Sequence, residues 1–187
     1  MAVPAGHHRL APEAGRIVLR TSREGLAATA GHDLTIDAPR WSGDLVVQDD
    51  GTPVSLEVRI DMGALTVREG SGGLKPLTDR DRREIGVTMR KLLDTGPYPE
   101  AVFTATRFEP SGDGGTIEGD FTLHGTSRPL RLQVTQTAPG AYQATGSVVQ
   151  SSYGIKPYSG FFGTLKVRDA VMVEAEAKLP APGEAQE

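Results

Sequence analysis

The sequence predicts an all-β protein, an antiparallel up-and-down β-barrel of about eight strands with one helical crossover around residues 78–95. Three observations predict it. Apolar and polar residues alternate with a period of two in many segments, which is typical of strands with one buried and one solvated face. Clusters of Gly, Pro and Asp separate these segments. One stretch alone has helical periodicity. A sheet with so many strands and so little helix to cover its apolar face must close on itself or pair face to face.

The alternation defines the predicted strands. It is clear at 54–60, where Leu56 and Val58 share one parity and Glu57 and Arg59 the other. The strong segments are 26–36, 54–60, 117–123, 130–134 and 171–177, and the weaker ones are 16–21, 41–48, 101–108, 142–149 and 164–168. The short links at 49–51, 111–115 and 139–140 favour an antiparallel meander. Within 101–108, Phe103 and Phe108 fall on opposite parities, which a bulge or an outward aromatic side chain would explain.

Residues 78–95 break the pattern and predict a helix. The apolar positions recur at i, i+4, i+7 and i+8 and are Ile85, Met89, Leu92 and Leu93. Thr78 is a suitable N-cap, and Gly96 with Pro97 marks the end of the helix.

Length and composition indicate one domain. The 187 residues suffice for one buried core. We expect the barrel domain to span 15–179, with flexible tails at 1–14 and 180–187, where Pro, Ala and Glu offer little to bury.

Composition also excludes several classes of function. The absence of cysteine excludes disulfides and thiol chemistry, and the net charge of −4 argues against nucleic acid as a partner. No apolar run reaches the ~18 residues of a membrane span, so we expect no stable membrane insertion. The start of the sequence does not resemble a signal peptide, and a cytoplasmic location is expected.

Small residues on the apolar faces bear on what fills the barrel. They are Ala28, Ala30, Gly119, Ala144, Gly146, Ala175 and Ala177. If they point inward they leave volume for an apolar guest. Alternatively, they taper the barrel or make room for the crossover helix, and the sequence leaves both interpretations open.

Four stretches resemble the YceI-like family of lipocalin-type proteins over roughly residues 15–179. They are the opening 15–36, which ends in GHDLTI, the crossover 73–110 with its Tyr-Pro-Glu, the hairpin GDFTLHGTSRPLRLQV and the ending 151–179. The hairpin is the most specific motif of the four. The resemblance implies a lipocalin-like barrel that binds a long polyisoprenoid, such as an isoprenoid quinone or a polyprenyl phosphate, as a store or carrier.

The resemblance implies no catalysis, and the residues agree with that. No nucleophile elbow, phosphate loop or recurring metal-ligand spacing is present, so we expect neither an enzyme nor a metal site nor a cofactor beyond a bound isoprenoid lipid. An alternative is a barrel filled with side chains that serves as a structural or protein-interaction module. A homodimer is compatible with such a barrel.

Candidate ligand contacts follow from parity. The tail-lining candidates are Leu34, Ile36, Leu56, Val58, Phe108, Phe121, Leu123, Leu132, Val148 and Val173. The candidates for the head group or the mouth are His32, Arg82, Tyr153, Tyr158, Phe161 and Phe162. His32 is in phase with Leu34 and is expected to point inward, either as a hydrogen-bond partner of a head group or as a histidine satisfied by the backbone.

Overall fold

Within residues 3–179, which the computed structural model describes, fourteen strands form two antiparallel sheets. The strands are β1 (Gly6–Leu10), β2 (Gly15–Arg20), β3 (Arg23–Glu24), β4 (Asp33–Asp37), β5 (Trp41–Val47), β6 (Pro53–Asp61), β7 (Thr66–Ser71), β8 (Glu100–Ser111), β9 (Gly114–Leu123), β10 (Thr126–Ala138), β11 (Ala141–Val149), β12 (Ser159–Gly160), β13 (Leu165–Val167) and β14 (Ala170–Lys178). This confirms the all-β class, with more strands than the eight expected.

The main sheet has eleven strands in the order β1-β5-β6-β8-β9-β10-β11-β14-β2-β4-β7, and its chain connections force it to curl. The chain passes from β4 to β5 through residues 38–40 and from β6 to β7 through residues 62–65, although these strands lie far apart in the sheet order. These short links bring the two ends of the sheet together around one interior. A second sheet, in the order β12-β13-β3, lies beside the main one.

The crossover helix α1 (Asp79–Leu92) confirms the helical prediction. The Thr78 side chain accepts a hydrogen bond from the Asp81 backbone N–H, and the Asp81 carboxylate accepts one from the Thr78 backbone N–H, a reciprocal capping box. The helix ends at Leu92, before Gly96, because Asp94 already adopts a left-handed backbone with φ 50°. α1 packs beside the edge strand β7. No helix within residues 3–179 is both long enough and apolar enough to cross a membrane.

One end of the barrel interior is filled by large side chains; we call it the packed end. There the strand register places Leu45 beside Leu56, Phe108 beside Ile117 and Tyr142 beside Ala177 on neighbouring strands. Strand β1 covers β5 at this end and buries Leu10.

Strand β1 corrects the expected tail at 1–14. Its five residues pair with β5, and its inward positions His8 and Leu10 are both buried. The His8 ring hydrogen-bonds the carbonyl of Pro4 (2.7 Å), so a polar side chain occupies an inward position where the alternation rule looks for an apolar one. The expected tail at 180–187 lies outside the described residues.

The predicted strand 26–36 is also corrected. Residues Ala28–Ala30 form a 3-10 turn, β4 begins at Asp33, and the Leu26 side chain is fully exposed. Alanine fits either face of an alternating pattern, so the alternation in this segment carried little information. Strand β7 was missed because Val67 is its one buried residue.

A bulge resolves the conflicting parities of Phe103 and Phe108. The register of β8 against β9 shifts between Ala105 and Arg107, so that Phe103 faces Phe121 and Phe108 faces Ile117 on the same side of the sheet. Two of the small residues, Gly119 and Gly146, have large neighbouring side chains packed over them instead of free volume. A Cβ on Gly119 would lie 2.7 Å from the Phe103 ring, and one on Gly146 would lie 2.6 Å from Leu132. These glycines admit large neighbours, which supports the packing interpretation at both positions.

Candidate functional site

The other end of the barrel encloses a cavity of about 870 Å³, and we call this the cavity end. Its walls come from β2, β4, β6, β8, β9, β10, β11 and β14, from the inner face of α1, and from the loops that precede α1 and surround β12 and β13. Most of the lining side chains are aliphatic or aromatic. The volume lies in the upper part of the range of about 300–1,000 Å³ that is usual for small-molecule pockets.

Eight of the ten tail-lining candidates lie on the cavity wall. They are Leu34, Ile36, Val58, Phe121, Leu123, Leu132, Val148 and Val173. Leu56 and Phe108 share the inward parity but are not part of the cavity wall; they lie at the packed end, beside Leu45 and Ile117 on the neighbouring strands. Parity therefore identified the inward face, whereas it carried no information on height along the barrel. Whether the eight residues contact a ligand stays a prediction.

The helix supplies wall residues that the candidate set lacked. Ile85, Met89, Leu92 and Leu93 all line the cavity, and Phe103 lines it from β8. The signal was present in the sequence, because the apolar stripe of an amphipathic helix must lie against an apolar partner. In a curled sheet that partner is the interior.

His32 lies at the cavity wall beside the loop that precedes α1. Its Nε2 is 2.7 Å from the carbonyl oxygen of Lys75, and a Cβ on Gly73 would fall 2.5 Å from the same nitrogen. Because Gly73 has φ +74° and no side chain, the loop can lie flat against the imidazole. Of the two interpretations from the sequence, this geometry gives the histidine satisfied by the backbone.

Arg82 was expected at the head group or the mouth, and the structure corrects this by engaging its guanidinium outside the cavity. Its guanidinium donates to the Asp79 carboxylate (2.9 Å) and to the Leu77 carbonyl (3.2 Å), and the residue is not part of the cavity wall. Arg82 and Asp79 form an i,i+3 ion pair within the first turn of α1, so the positive charge of Arg82 is paired on the helix itself.

The four aromatic candidates separate into three positions. Tyr153 is buried with its ring edge-on to Phe121 at 5.7 Å, and it lines a smaller surface cavity of about 350 Å³ beside Arg128. Burial raises the pKa of its hydroxyl. Tyr158 and Phe161 line the large cavity. Phe162 is fully exposed and does not line the cavity.

Charged groups gather where the wall meets solvent, at Arg23, Lys75, Asp81, Glu84 and Lys166. Both acids have hydrogen-bond partners on the protein. Hydrogen bonds from Thr78 lower the pKa of Asp81, and the Glu84 carboxylate accepts a hydrogen bond from Arg80 at 2.8 Å. Arg23 donates to the Gly31 carbonyl. No group of three or more His, Asp or Glu suited to a metal ion occurs in residues 3–179. The site thus has the composition of a hydrophobic-ligand pocket with a polar rim.

A family model for the YceI-like domain matches residues 12–179, which is most of the chain. The chain belongs to the YceI-like family. Two solved structures share the fold of this YceI-like protein. BcnA from Burkholderia cenocepacia is 13% identical with a TM-score of 0.62 over 89% of this chain and 97% of that one. The YceI protein of Campylobacter jejuni is 14% identical with a TM-score of 0.55 over 78% and 84%.

Curated relatives match a shorter part of the sequence. Protein YceI of Escherichia coli is 28% identical over 88 residues, which are 42% of this chain and 46% of that protein. A UPF0312 protein of Pseudomonas syringae is 27% identical over 89 residues, 42% and 46% of the two chains. The match therefore spans about half the length of these relatives. Family and fold are shared, and both are consistent with binding of a hydrophobic ligand.

Proposed function

We propose that this YceI-like protein binds a long polyisoprenoid, such as an isoprenoid quinone or a polyprenyl phosphate, in its cavity and stores or carries it without catalysis. The observation that carries the proposal is the cavity of about 870 Å³ with a mostly apolar wall, to which the solvent-exposed Lys75, Glu84 and Lys166 add charge. A linear apolar tail fits the enclosed part, and a polar head fits the rim.

The energetics favour a long tail. Each buried CH₂ equivalent contributes about 0.8 kcal/mol, so affinity grows with every isoprene unit that enters the cavity. Loss of translational freedom and of tail rotors offsets part of this gain. A ligand held in this way needs few polar contacts, which agrees with a wall that is mostly apolar.

The alternative of a barrel filled with side chains fits the packed end alone. There Leu45, Leu56 and Ile117 pack in the hydrophobic core, whereas the cavity end within residues 3–179 holds a cavity of about 870 Å³. We therefore do not propose a purely structural module. A cytoplasmic location, a homodimer and the lack of a nucleic-acid partner stay predictions.

Native mass spectrometry of gently purified protein, followed by organic extraction and lipid analysis, tests the proposal. We expect a stoichiometric isoprenoid in the extract, or uptake of an added isoprenoid quinone or polyprenyl phosphate. A protein that carries no lipid and takes up neither compound would contradict the proposal.

A matched pair of variants locates the ligand. Val173 lines the cavity, whereas its neighbour Met172 points out of the barrel and is half exposed. Val173→Trp fills the cavity and should lower the affinity for the added isoprenoid at least about tenfold, while Met172→Trp should leave it unchanged. Equal affinities in the two variants would place the ligand outside the cavity.

A further inference from the structure

The four most exposed large apolar side chains in residues 3–179 lie on segments that border the mouth of the cavity. They are Leu26 (96% exposed), Leu74 (80%), Phe161 (64%) and Phe162 (109%), and we call them the apolar rim. The next most exposed large apolar residues reach 45%. Leu74 and Phe161 also form part of the cavity wall, so the rim is continuous with the interior.

The small sheet explains why three rim residues lie together. Residues 161–164 form the turn between β12 and β13, and β3 runs antiparallel beside β13 with Glu24 opposite Lys166. The chain continues from β3 toward that turn, where the Ala27 N–H donates to the Thr164 carbonyl at 2.9 Å. Leu26 therefore lies at the same tip of the sheet as Phe161 and Phe162.

The turn holds its phenylalanines in a strained backbone. Phe161 has φ 47° and Phe162 has φ 55°, both in the left-handed region that bulky residues rarely enter. The Thr164 hydroxyl and backbone N–H both donate to the Phe161 carbonyl and fix the turn. Strain of this kind persists where the surroundings enforce it, and it clusters at functional positions. Here it presents two adjacent aromatic rings to solvent.

Two cations without ion-pair partners accompany the rim. Lys75 follows Leu74, and Lys166 lies on β13 directly after the turn; both contribute to the cavity wall. Neither forms a salt bridge within 4.0 Å in the described part of the chain. The acid opposite Lys166, Glu24, lies 3.8 Å from Arg168 instead. The cavity-lining acids Asp81 and Glu84 are bonded to Thr78 and Arg80.

We propose that the apolar rim, with Lys75 and Lys166, docks the protein on an anionic lipid bilayer and thereby joins the cavity to the membrane. The inference rests on the proposed function, because a polyisoprenoid tail is insoluble in water and exchanges most readily with a bilayer. Exposed aromatic and leucine side chains flanked by lysines are the combination that binds an anionic membrane interface. A docked mouth lets a tail move between bilayer and cavity without crossing water.

A second copy of the chain is the other occupant to test. A stable protein interface buries about 1,200–2,000 Å² in total, which the four side chains of the apolar rim do not supply. The apolar rim instead suits insertion into a lipid bilayer, because protruding aromatic rings need no complementary pocket there.

Flotation with vesicles tests the inference. The vesicles are phosphatidylcholine alone or phosphatidylcholine with phosphatidylglycerol, and the proteins are the wild type, Leu26→Ser/Phe162→Ser, Lys75→Gln/Lys166→Gln and the control Val54→Ser. Val54 is the control because it is half exposed on β6, on the far side of Leu56 from the cavity. Binding of N-phenylnaphthylamine without vesicles measures the cavity independently, since neither Leu26 nor Phe162 lines it.

We expect the wild type and Val54→Ser to float with the anionic vesicles. The serine pair should bind them at least about tenfold more weakly and still bind the dye normally. The glutamine pair should lose about fivefold per lysine on anionic vesicles and little on phosphatidylcholine.

The inference is overturned if the wild type floats with neither vesicle, or if the serine pair floats as well as the wild type. It is also overturned if the wild type is a dimer that Leu26→Ser/Phe162→Ser dissociates while vesicle binding is absent. Flotation that depends on the rim, without any dye or isoprenoid binding, would support the docking surface and refute the proposed function.

Discussion

The packed end and the cavity end of this barrel have the same backbone and the same alternating pattern, yet different interiors. At the packed end neighbouring strands place Leu45 against Leu56 and Phe108 against Ile117, and β1 covers the outer edge. At the cavity end the sheet has no such cover, and α1 with two loops completes the wall. Dense side-chain packing and open cavity volume are therefore divided along the barrel axis.

Truncation of a leucine at each end should reveal this division most strongly. Leu45→Ala leaves a void among packed side chains and should lower the free energy of unfolding by about 2–5 kcal/mol. Leu132→Ala removes a side chain that already borders the cavity, so it should lower the free energy of unfolding by only about 1–2 kcal/mol. Urea unfolding of both variants measures this, and equal losses would contradict the distinction between the ends.

Enlargement of two alanines on β14 sharpens the comparison. Ala175 lines the cavity, and Ala177, two residues further on the same face, faces Tyr142 at the packed end. Ala177→Phe should overpack the interior and lower the free energy of unfolding by about 1–3 kcal/mol. Ala175→Phe should lower it less and instead shift ligand preference toward shorter tails, as competition between isoprenoids of different length would show. A preference unchanged by Ala175→Phe would place the tail elsewhere.

The helix cap is a test confined to the cavity end. Thr78→Ala removes the side-chain oxygen that accepts from the Asp81 N–H and should cost about 1 kcal/mol of unfolding free energy. Thr78→Ser keeps the oxygen and serves as the control. Thermal unfolding compares the two; a serine variant as unstable as the alanine variant would mean that the cap does not supply the stability.

The smallest expected change in the free energy of unfolding concerns an ion pair on the outer face of the barrel. Arg16 donates to both carboxylate oxygens of Glu176 (2.9 and 2.8 Å), which lowers the pKa of that carboxyl below its ordinary 4.5. A lowered folded-state pKa gives stability above pH 4.5, and that stability is lost as the pH falls through the folded pKa.

Since the pair is exposed, Glu176→Gln should cost only about 0.5 kcal/mol near neutral pH. The difference from the wild type should vanish in acid. Urea unfolding over a pH series measures it, and a difference that persisted in acid would mean that the ion pair is not its source.

Local pattern predicted the fold class and most of the strands, but only part of the site. Strands such as β6, β9 and β14 follow from alternation, and α1 follows from its stripe and cap. β1 was missed because His8 replaces an apolar residue on its inward face. Parity placed Leu56 and Val58 on one face, but the cavity ends between them, because height along the axis depends on long-range closure. The exposure of Phe162 depends on a strained turn that no periodic pattern encodes.

The wall formed by α1 differs mechanically from the rest of the barrel. Each strand of the main sheet is held to its neighbours by backbone hydrogen bonds, which fixes the spacing between the paired strands. The backbone of α1 bonds within its own segment, and its contact with the interior is made by side chains such as Ile85 and Met89. Met is among the most adaptable of side chains. A shift of the helix would therefore change the width of the cavity while every strand pairing stayed intact.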